Sequence, residues 1–184
     1  MKSLAPSPPP TAKTAASGID RFLRVGICLL LVVFVYVIYA AIHQRVVVAG
    51  DEAPAFDIRA DSGRDVSVAN FGGKLLVLNF WASWCPPCVQ ETPSLSQFAE
   101  QYKSRGVTVL ALSVDKDPKA YTAFLQRFRP AFETARDSQV HEEYGTFMYP
   151  ETYIIDAHGK VLKKIAEGAD WTDPALNQYI QSLL

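Results

Sequence analysis

The segment of this sequence best suited to chemistry contains two cysteines, Cys85 and Cys88, separated by two prolines. Cysteines at this spacing close a small disulfide ring at the start of a helix, and such a pair exchanges with other disulfides. Cys85 would occupy the exposed N-cap, where helix polarity stabilises a thiolate, so we predict it to be the nucleophile. Cys88, one turn further in, would be shielded and would resolve the mixed disulfide. The spacing alone also fits half of a zinc site or a structural disulfide.

The elements on either side of the cysteines favour a redox pair over these two alternatives. Residues 74–80 form a short apolar run after the turn Gly72-Gly73, which predicts a buried strand. A helix is predicted over residues 86–104 and ends before Gly106. A C-x-x-C motif that leaves a strand and opens a helix is typical of thiol–disulfide exchange. We therefore predict a redox-active disulfide, Cys85–Cys88.

The rest of the chain alternates between strands and helices. Asp117-Pro118 and Asp173-Pro174 each place a capping residue before a proline, which is typical of a helix start. The elements predicted after Gly106 are a strand at 107–114, a helix from 118, a short strand at 132–136, a short helix at 140–144, hairpin strands at 152–156 and 161–166, and a last helix from 174. This order predicts an α/β fold with a central mixed β-sheet flanked by helices.

An apolar run of 18 residues, 25–42, precedes this domain and contains no charged residue. As a helix it would be about 27 Å long, close to the thickness of a bilayer core. A buried core helix would have a polar face, and a signal peptide has a shorter apolar region, so we favour an uncleaved transmembrane anchor. Four basic residues precede the run and only Arg45 follows closely, which places the N-terminus in the cytoplasm and the catalytic domain in the periplasm or its equivalent.

The predicted organisation is a Pro-rich disordered cytoplasmic tail at 1–24, the transmembrane anchor at 25–42, a linker at 43–52 and one folded domain at 53–184. The net charge of −1 excludes a generic nucleic-acid binder, because no basic excess opposes the phosphates. Three cysteines are too few for a four-cysteine zinc site, and the three separated histidines match no metal-ligand spacing. We therefore expect no metal and no cofactor.

Residues 79–88, NFWASWCPPC, closely resemble the active-site segment of the membrane-anchored thioredoxin-like proteins, the TlpA/ResA/CcmG group. The resemblance extends from about residue 53 to the C-terminus and implies a thioredoxin-like fold. Residues 149–156, YPETYIID, resemble the family's cis-proline segment, and Pro-Glu-Thr is similar to the CcmG branch. The resemblance implies a cis bond before Pro150, beside Cys85. Trp84, Tyr149 and Pro150 would then shape a groove for an extended substrate peptide.

Glu91 is the predicted proton acceptor. Thioredoxins carry a buried aspartate where this chain has Asn79, and an amide cannot accept a proton at neutral pH; we interpret Asn79 as a buried hydrogen-bonding residue. Glu91 follows Cys88 by three residues and shares its helix face, and the resemblance implies a functional acid at this position. A partly buried carboxylate there could take the proton of the resolving thiol. The alternative is an exposed glutamate in the first turn, favoured by helix polarity.

Pro86 and Pro87 lack backbone N–H groups, so a thiolate at Cys85 keeps few backbone donors and the couple should be reducing.

The sequence thus predicts a membrane-anchored thiol–disulfide oxidoreductase that reduces protein disulfides outside the cytoplasm. The resemblance implies apocytochrome c as a substrate and an integral-membrane thiol protein as the electron donor. One alternative is a copper(I) metallochaperone that uses the same two thiols, since soft thiolates suit that ion. A peroxidase of the peroxiredoxin type is disfavoured, because its cysteine typically stands alone.

Overall fold

The computed structural model describes residues 16–42 and 46–184. The chain divides into an N-terminal helical unit and a folded unit, which contains the described residues from Val46 onward. Helix α1 spans Ala16–Ile42 and contains a stretch, Asp20–Tyr39, that is long and apolar enough to cross a membrane. Residues 16–24, predicted to belong to a disordered tail, are therefore helical, because a helix once nucleated in the apolar run extends through neighbouring residues at little cost. Residues 1–15 lie outside the described part of the chain.

The folded unit also begins earlier than the predicted boundary at residue 53. Val47 is fully buried in the apolar core, and its backbone N–H donates to the carbonyl oxygen of Tyr144 at 3.1 Å. Residues from Val47 onward, predicted to form a linker, therefore pack against the domain. Val47 lies in a run of only four apolar residues, 46–49, which is too short to show a periodicity that would mark the start of a domain.

A two-stranded antiparallel hairpin precedes the main sheet. Its strands are β1 (Asp57–Arg59) and β2 (Asp65–Ser67). No pattern in the sequence pointed to this hairpin, because each strand has three residues and only Val66 among them is buried. Strands this short show no readable alternation of apolar and polar residues.

Five further strands form the predicted mixed sheet. They are β3 (Leu75–Trp81), β4 (Val107–Ser113), β5 (Glu133–Arg136), β6 (Glu151–Asp156) and β7 (Val161–Ile165). The spatial order is β5-β4-β3-β6-β7. The pairs β3–β4 and β4–β5 are parallel, whereas β3–β6 and β6–β7 are antiparallel. The thioredoxin-like fold is thus confirmed, and each predicted strand end lies within one residue of the observed one.

Four helices belong to the folded unit: α2 (Pro86–Lys103), α3 (Pro118–Phe128), α4 (Val140–Glu143) and α5 (Pro174–Ser182). Both predicted aspartate caps are present. The Asp117 carboxylate accepts a hydrogen bond from the backbone N–H of Lys119, and the Asp173 carboxylate accepts bonds from the N–H groups of Ala175 and Leu176. These local caps explain why the helix starts were readable from the sequence.

The central strand β3 contributes side chains to both faces of the sheet. Its even-numbered residues lie in one apolar cluster, which faces Val47 and the β1–β2 hairpin. Leu75 and Val77 lie in a second cluster with α2 and α5. A third cluster continues from Trp81 at the end of β3 and covers the two cysteines. The end of β3 and the start of α2 therefore pack against β4 and α3.

Candidate active site

The two cysteines lie just after β3, at the start of α2. Cys85 is the N-cap residue, and its Sγ accepts a hydrogen bond from the backbone N–H of Cys88 at 3.4 Å. The two residues form a disulfide, with Cα atoms 5.3 Å apart. Pro86 and Pro87 occupy the first helical positions and supply no N–H groups. Such a pair can accept or deliver two electrons by exchange with another disulfide or dithiol.

Both cysteines are buried, with 4% of Cys85 and 3% of Cys88 exposed. The expectation that Cys85 is exposed is therefore wrong for this disulfide form, because the third apolar cluster covers it. The two cysteines differ in their neighbours and not in their exposure. Cys85 Sγ lies 3.3 Å from the carbonyl oxygen of Tyr149, whereas Cys88 lines an internal cavity together with Glu91.

Asp115, two residues after β4, fixes the turn that leads into Cys85. Its buried carboxylate accepts hydrogen bonds from the Ser83 backbone N–H (2.9 Å), the Ser83 hydroxyl (2.8 Å) and the Ser113 hydroxyl (2.7 Å). These bonds tie together the segments that follow β3 and β4. No local sequence signal marks Asp115, since a polar residue after a buried strand is common in any loop.

The Tyr149–Pro150 peptide bond is cis, which confirms the expectation from the resemblance. The Trp84 ring packs edge to face on the Tyr149 ring, with centroids 6.1 Å apart. Tyr149 and Pro150 both line an open groove beside the start of α2. The structure thus brings Trp84, Tyr149 and Pro150 to the side of the molecule that carries Cys85.

Glu151, the next residue along, anchors the loop that carries Tyr149. Its buried carboxylate accepts hydrogen bonds from the hydroxyls of Thr146 and Tyr153 and pairs with Lys164 Nζ at 3.0 Å. A buried carboxylate is stable when it is paired and hydrogen-bonded in this way. The bonds join the loop to β6 and β7, and they hold the Tyr149 carbonyl in place beside Cys85.

Glu91 lies on α2 one turn after Cys88 and is only 5% exposed, which rules out the exposed first-turn alternative. Its carboxylate accepts hydrogen bonds from the indole N–H of Trp171 and the backbone N–H of Ala169. Burial raises the pKa of Glu91 to about 7, because loss of water disfavours the charge more than these two bonds favour it. The carboxyl group can therefore exchange a proton near neutral pH.

A cavity of about 10 Å³ is lined by Cys88 and Glu91, and Asn79 also lines it. This volume is about that of one water molecule. Asn79 is buried as predicted, and its Nδ2 donates to the Thr152 hydroxyl at 2.8 Å. Glu91 is the carboxyl group in the lining, so it can serve the thiol of Cys88 from inside the protein.

The groove beside Cys85 has a volume of about 720 Å³ and is bounded by the start of α2, by residues 148–150 and by residues 166–170. Three large exposed apolar side chains accompany the groove: Met148 lines it, Phe147 precedes Met148 in the chain, and Trp84 packs on Tyr149. Trp84, Phe147 and Met148, here called the apolar rim, are 65%, 62% and 71% exposed. Large apolar side chains that remain exposed beside a groove are typical of a contact site for another molecule. Phe147 and Met148 were not predicted from the sequence, because apolar residues before a strand resemble ordinary core residues.

The histidines add little to the two thiols as metal donors. His141 lies in α4 with its ring 6.0 Å from that of Tyr149, and His158 lies in the turn between β6 and β7. Across residues 16–42 and 46–184, no group of three or more His, Cys, Asp or Glu side chains is placed to hold a metal ion. The third donor that a copper-handling site would add is therefore not found in the described part of the chain.

A thioredoxin-like fold with a disulfide at its strand–helix junction defines a thiol–disulfide oxidoreductase. Residues 48–180 match the Redoxin family. The chain is 35% identical over 159 residues to the thiol-disulfide oxidoreductase ResA of Geobacillus thermodenitrificans, covering 84% of this chain and 90% of that one. It is 30% identical over 164 residues to ResA of Bacillus subtilis, covering 86% and 90%.

A solved structure agrees with these relatives. The crystal structure of a protein assigned as the thiol:disulfide interchange protein DsbE from Chlorobium tepidum superposes with a TM-score of 0.67 at 32% identity, covering 76% of this chain and 99% of that one. The chain belongs to the redoxin family, among its TlpA/ResA/CcmG-type thiol–disulfide oxidoreductases.

Proposed function

We propose that this protein is a membrane-anchored reductant of protein disulfides outside the cytoplasm. The observation that carries the proposal is the Cys85–Cys88 disulfide, whose first sulfur lies 3.3 Å from the Tyr149 carbonyl at the edge of an open groove. Helix α1 supports the anchor, because its stretch Asp20–Tyr39 can span a bilayer. The basic N-terminal flank supports an outward-facing folded unit, in a compartment where disulfides persist.

The reaction consists of two sulfur displacements. In the reduced protein the Cys85 thiolate attacks a substrate disulfide, so that a mixed disulfide forms and one substrate thiolate leaves and is protonated by water. Glu91 takes the proton of the Cys88 thiol across the internal cavity, and the Cys88 thiolate attacks Cys85 Sγ. The Cys85–Cys88 bond forms, and the second substrate thiolate leaves and is protonated. The substrate gains two electrons, and the protein loses two.

The groove and the apolar rim support a polypeptide substrate. Tyr149 and Pro150 line the groove, and Trp84 packs on Tyr149, so an extended segment can bind there with its cysteine facing Cys85. The similarity of Pro150-Glu151-Thr152 to the CcmG branch favours the cysteine pair of apocytochrome c. Regeneration of the dithiol requires two electrons from a more reducing dithiol, for which we propose an integral-membrane thiol protein.

The reduction potential of the Cys85–Cys88 couple should lie below about −200 mV. Pro86 and Pro87 give the Cys85 thiolate no backbone donors, which leaves the dithiol form weakly stabilised. Equilibrating the full chain in detergent with dithiothreitol mixtures, and counting thiols by mass after alkylation, measures this potential. Pro87→Ala is the matched control, because it returns one N–H to the helix start and should raise the potential by about 10–30 mV. A wild-type value near −120 mV, typical of a strong oxidant, would contradict the proposed direction.

The apolar rim should matter for protein substrates and not for small ones. A Phe147→Ser/Met148→Ser double variant removes two large exposed apolar contacts, so kcat/KM for reduction of a protein disulfide such as insulin should fall about tenfold or more. Reduction of a small aromatic disulfide should change less than about twofold. Val48→Ser removes an apolar side chain that is also half exposed but does not line the groove, and should leave both rates unchanged. Equal losses for both substrates would refute this role for the rim.

A further inference from the structure

Trp171 is fully buried in the mostly exposed segment between β7 and α5. Its ring packs against Phe98 of α2, with centroids 4.9 Å apart. Its indole N–H donates to the Glu91 carboxylate at 2.5 Å, across 80 residues of sequence. A buried tryptophan needs a partner for its N–H, and here that partner is the one carboxyl group that lines the cavity at Cys88.

Trp171 is itself held at three points. Its backbone N–H donates to the Ser94 hydroxyl at 3.2 Å, and its carbonyl accepts a bond from Asn177 Nδ2 at 2.8 Å. The ring contact with Phe98 is the third point. Packing and hydrogen bonds to α2 and α5 therefore fix the position of the indole N–H. A group that orients another side chain must itself be held in place in this way.

The surroundings of Glu91 provide few other stabilising groups. Within the described residues, the cavity and the groove that Glu91 lines contain no lysine, arginine or histidine. The titratable groups that face it are Cys88 on α2, Tyr149 across the groove, and the exposed Glu167 and Asp170 of the β7–α5 segment. None of these favours a negative charge at Glu91. The donors that do are the indole of Trp171 and the backbone N–H of Ala169.

We propose that Trp171 is a positioning residue for the thiol–disulfide exchange, which orients the Glu91 carboxylate toward Cys88 and sustains its charged form. The inference rests on the proposed role of Glu91 as proton acceptor. The same segment also forms one wall of the groove, since residues 166–170 line it directly before Trp171. Trp171 therefore joins the groove wall to the group that deprotonates the resolving thiol.

The test compares three forms of the full chain in detergent: wild type, Trp171→Phe and Asn177→Ala. The phenylalanine variant removes the indole donor. The infrared band of the Glu91 carboxyl group can be isolated as a difference against Glu91→Gln. Its titration midpoint should move up by about one pH unit or more. The acidic limb of the pH–rate profile for the resolving step should move by the same amount. Well below the wild-type midpoint the rate should therefore be about tenfold lower. Asn177→Ala loosens the same segment but keeps the donor, so the midpoint should stay within a few tenths of a unit.

A further variant separates the loss of the indole N–H from a general disturbance of the fold. Replacing Trp171 with benzothienylalanine keeps the ring shape but exchanges the N–H for sulfur, and it should reproduce the shift of the phenylalanine variant. An unshifted Glu91 titration in this form would overturn the inference, as would an equal shift in Asn177→Ala. Failure of the proposed function looks different: Glu91→Gln would then keep the wild-type rate at every pH, whatever the infrared titration shows.

Discussion

A Cys88→Ser variant of this protein should accumulate as a covalent mixed disulfide with its substrate, joined through Cys85. The substrate disulfide can still be attacked, but no thiol one turn into α2 remains to release the product. Incubating the reduced variant with a membrane extract, separating the adducts without reductant and identifying them by mass spectrometry would reveal the partner. This result would also separate an apocytochrome from other substrates.

Cys85→Ser is the matched control for this trap. It should form no adduct through Cys88, and its turnover of protein disulfides should fall at least about 1,000-fold, because the nucleophile at the helix N-terminus is lost. Alkylation of the reduced wild type should modify Cys85 before Cys88 for the same reason. Faster modification of Cys88, or an adduct that forms through Cys88, would reverse the two assignments.

Local signals explain what the sequence could predict. The strands of the main sheet were readable from short apolar runs, and α3 and α5 from an aspartate followed by a proline at each start. The C-x-x-C spacing located the disulfide, and Asn79 together with the three-residue step from Cys88 pointed to Glu91. Each of these features depends on residues close to one another in the sequence.

Long-range contacts explain what could not be predicted. The Trp171–Glu91 bond joins residues 80 apart, and the bonds from Ser83 to Asp115 join residues 32 apart. Residues so far apart in the sequence come into contact only in the tertiary structure, so no local spacing pattern predicts them. Burial of Cys85 has the same origin, since the side chains that cover it come from β3, β4 and α3.

Glu91→Gln should stabilise the oxidised protein at pH 8 and have little effect near pH 4.5. The pKa of Glu91 is about 7 in the folded protein, against 4.5 for the free side chain. Between these values the folded state holds a proton that the unfolded state has lost, so the free energy of unfolding of the wild type falls as the pH rises through this window. The loss amounts to roughly 3 kcal/mol. Glutamine carries no charge at any pH, and its amide oxygen can still accept the Trp171 N–H.

Denaturation of the full chain in detergent, repeated from pH 4.5 to 8, measures this difference. Glu100→Gln is the matched control, because it removes an exposed carboxylate from the same helix and should leave the pH dependence of stability unchanged. Parallel curves for the wild type and Glu91→Gln would show that Glu91 does not bind a proton on folding.

Glu91→Gln should also catalyse poorly. The two measurements would then separate the effect of Glu91 on stability from its effect on the rate. At pH 8 the resolving step should slow by about 100-fold, since the base beside Cys88 is gone, and the limb of the pH–rate profile near pH 7 should vanish. The Glu91 carboxylate destabilises the folded protein above its pKa. Such a group is retained where a pKa near neutrality suits it to accept a proton during the reaction. A gain in stability that builds up between pH 4.5 and 7, together with a loss of rate, is the result expected of a buried proton acceptor. A purely structural buried glutamate would give the gain in stability without the loss of rate.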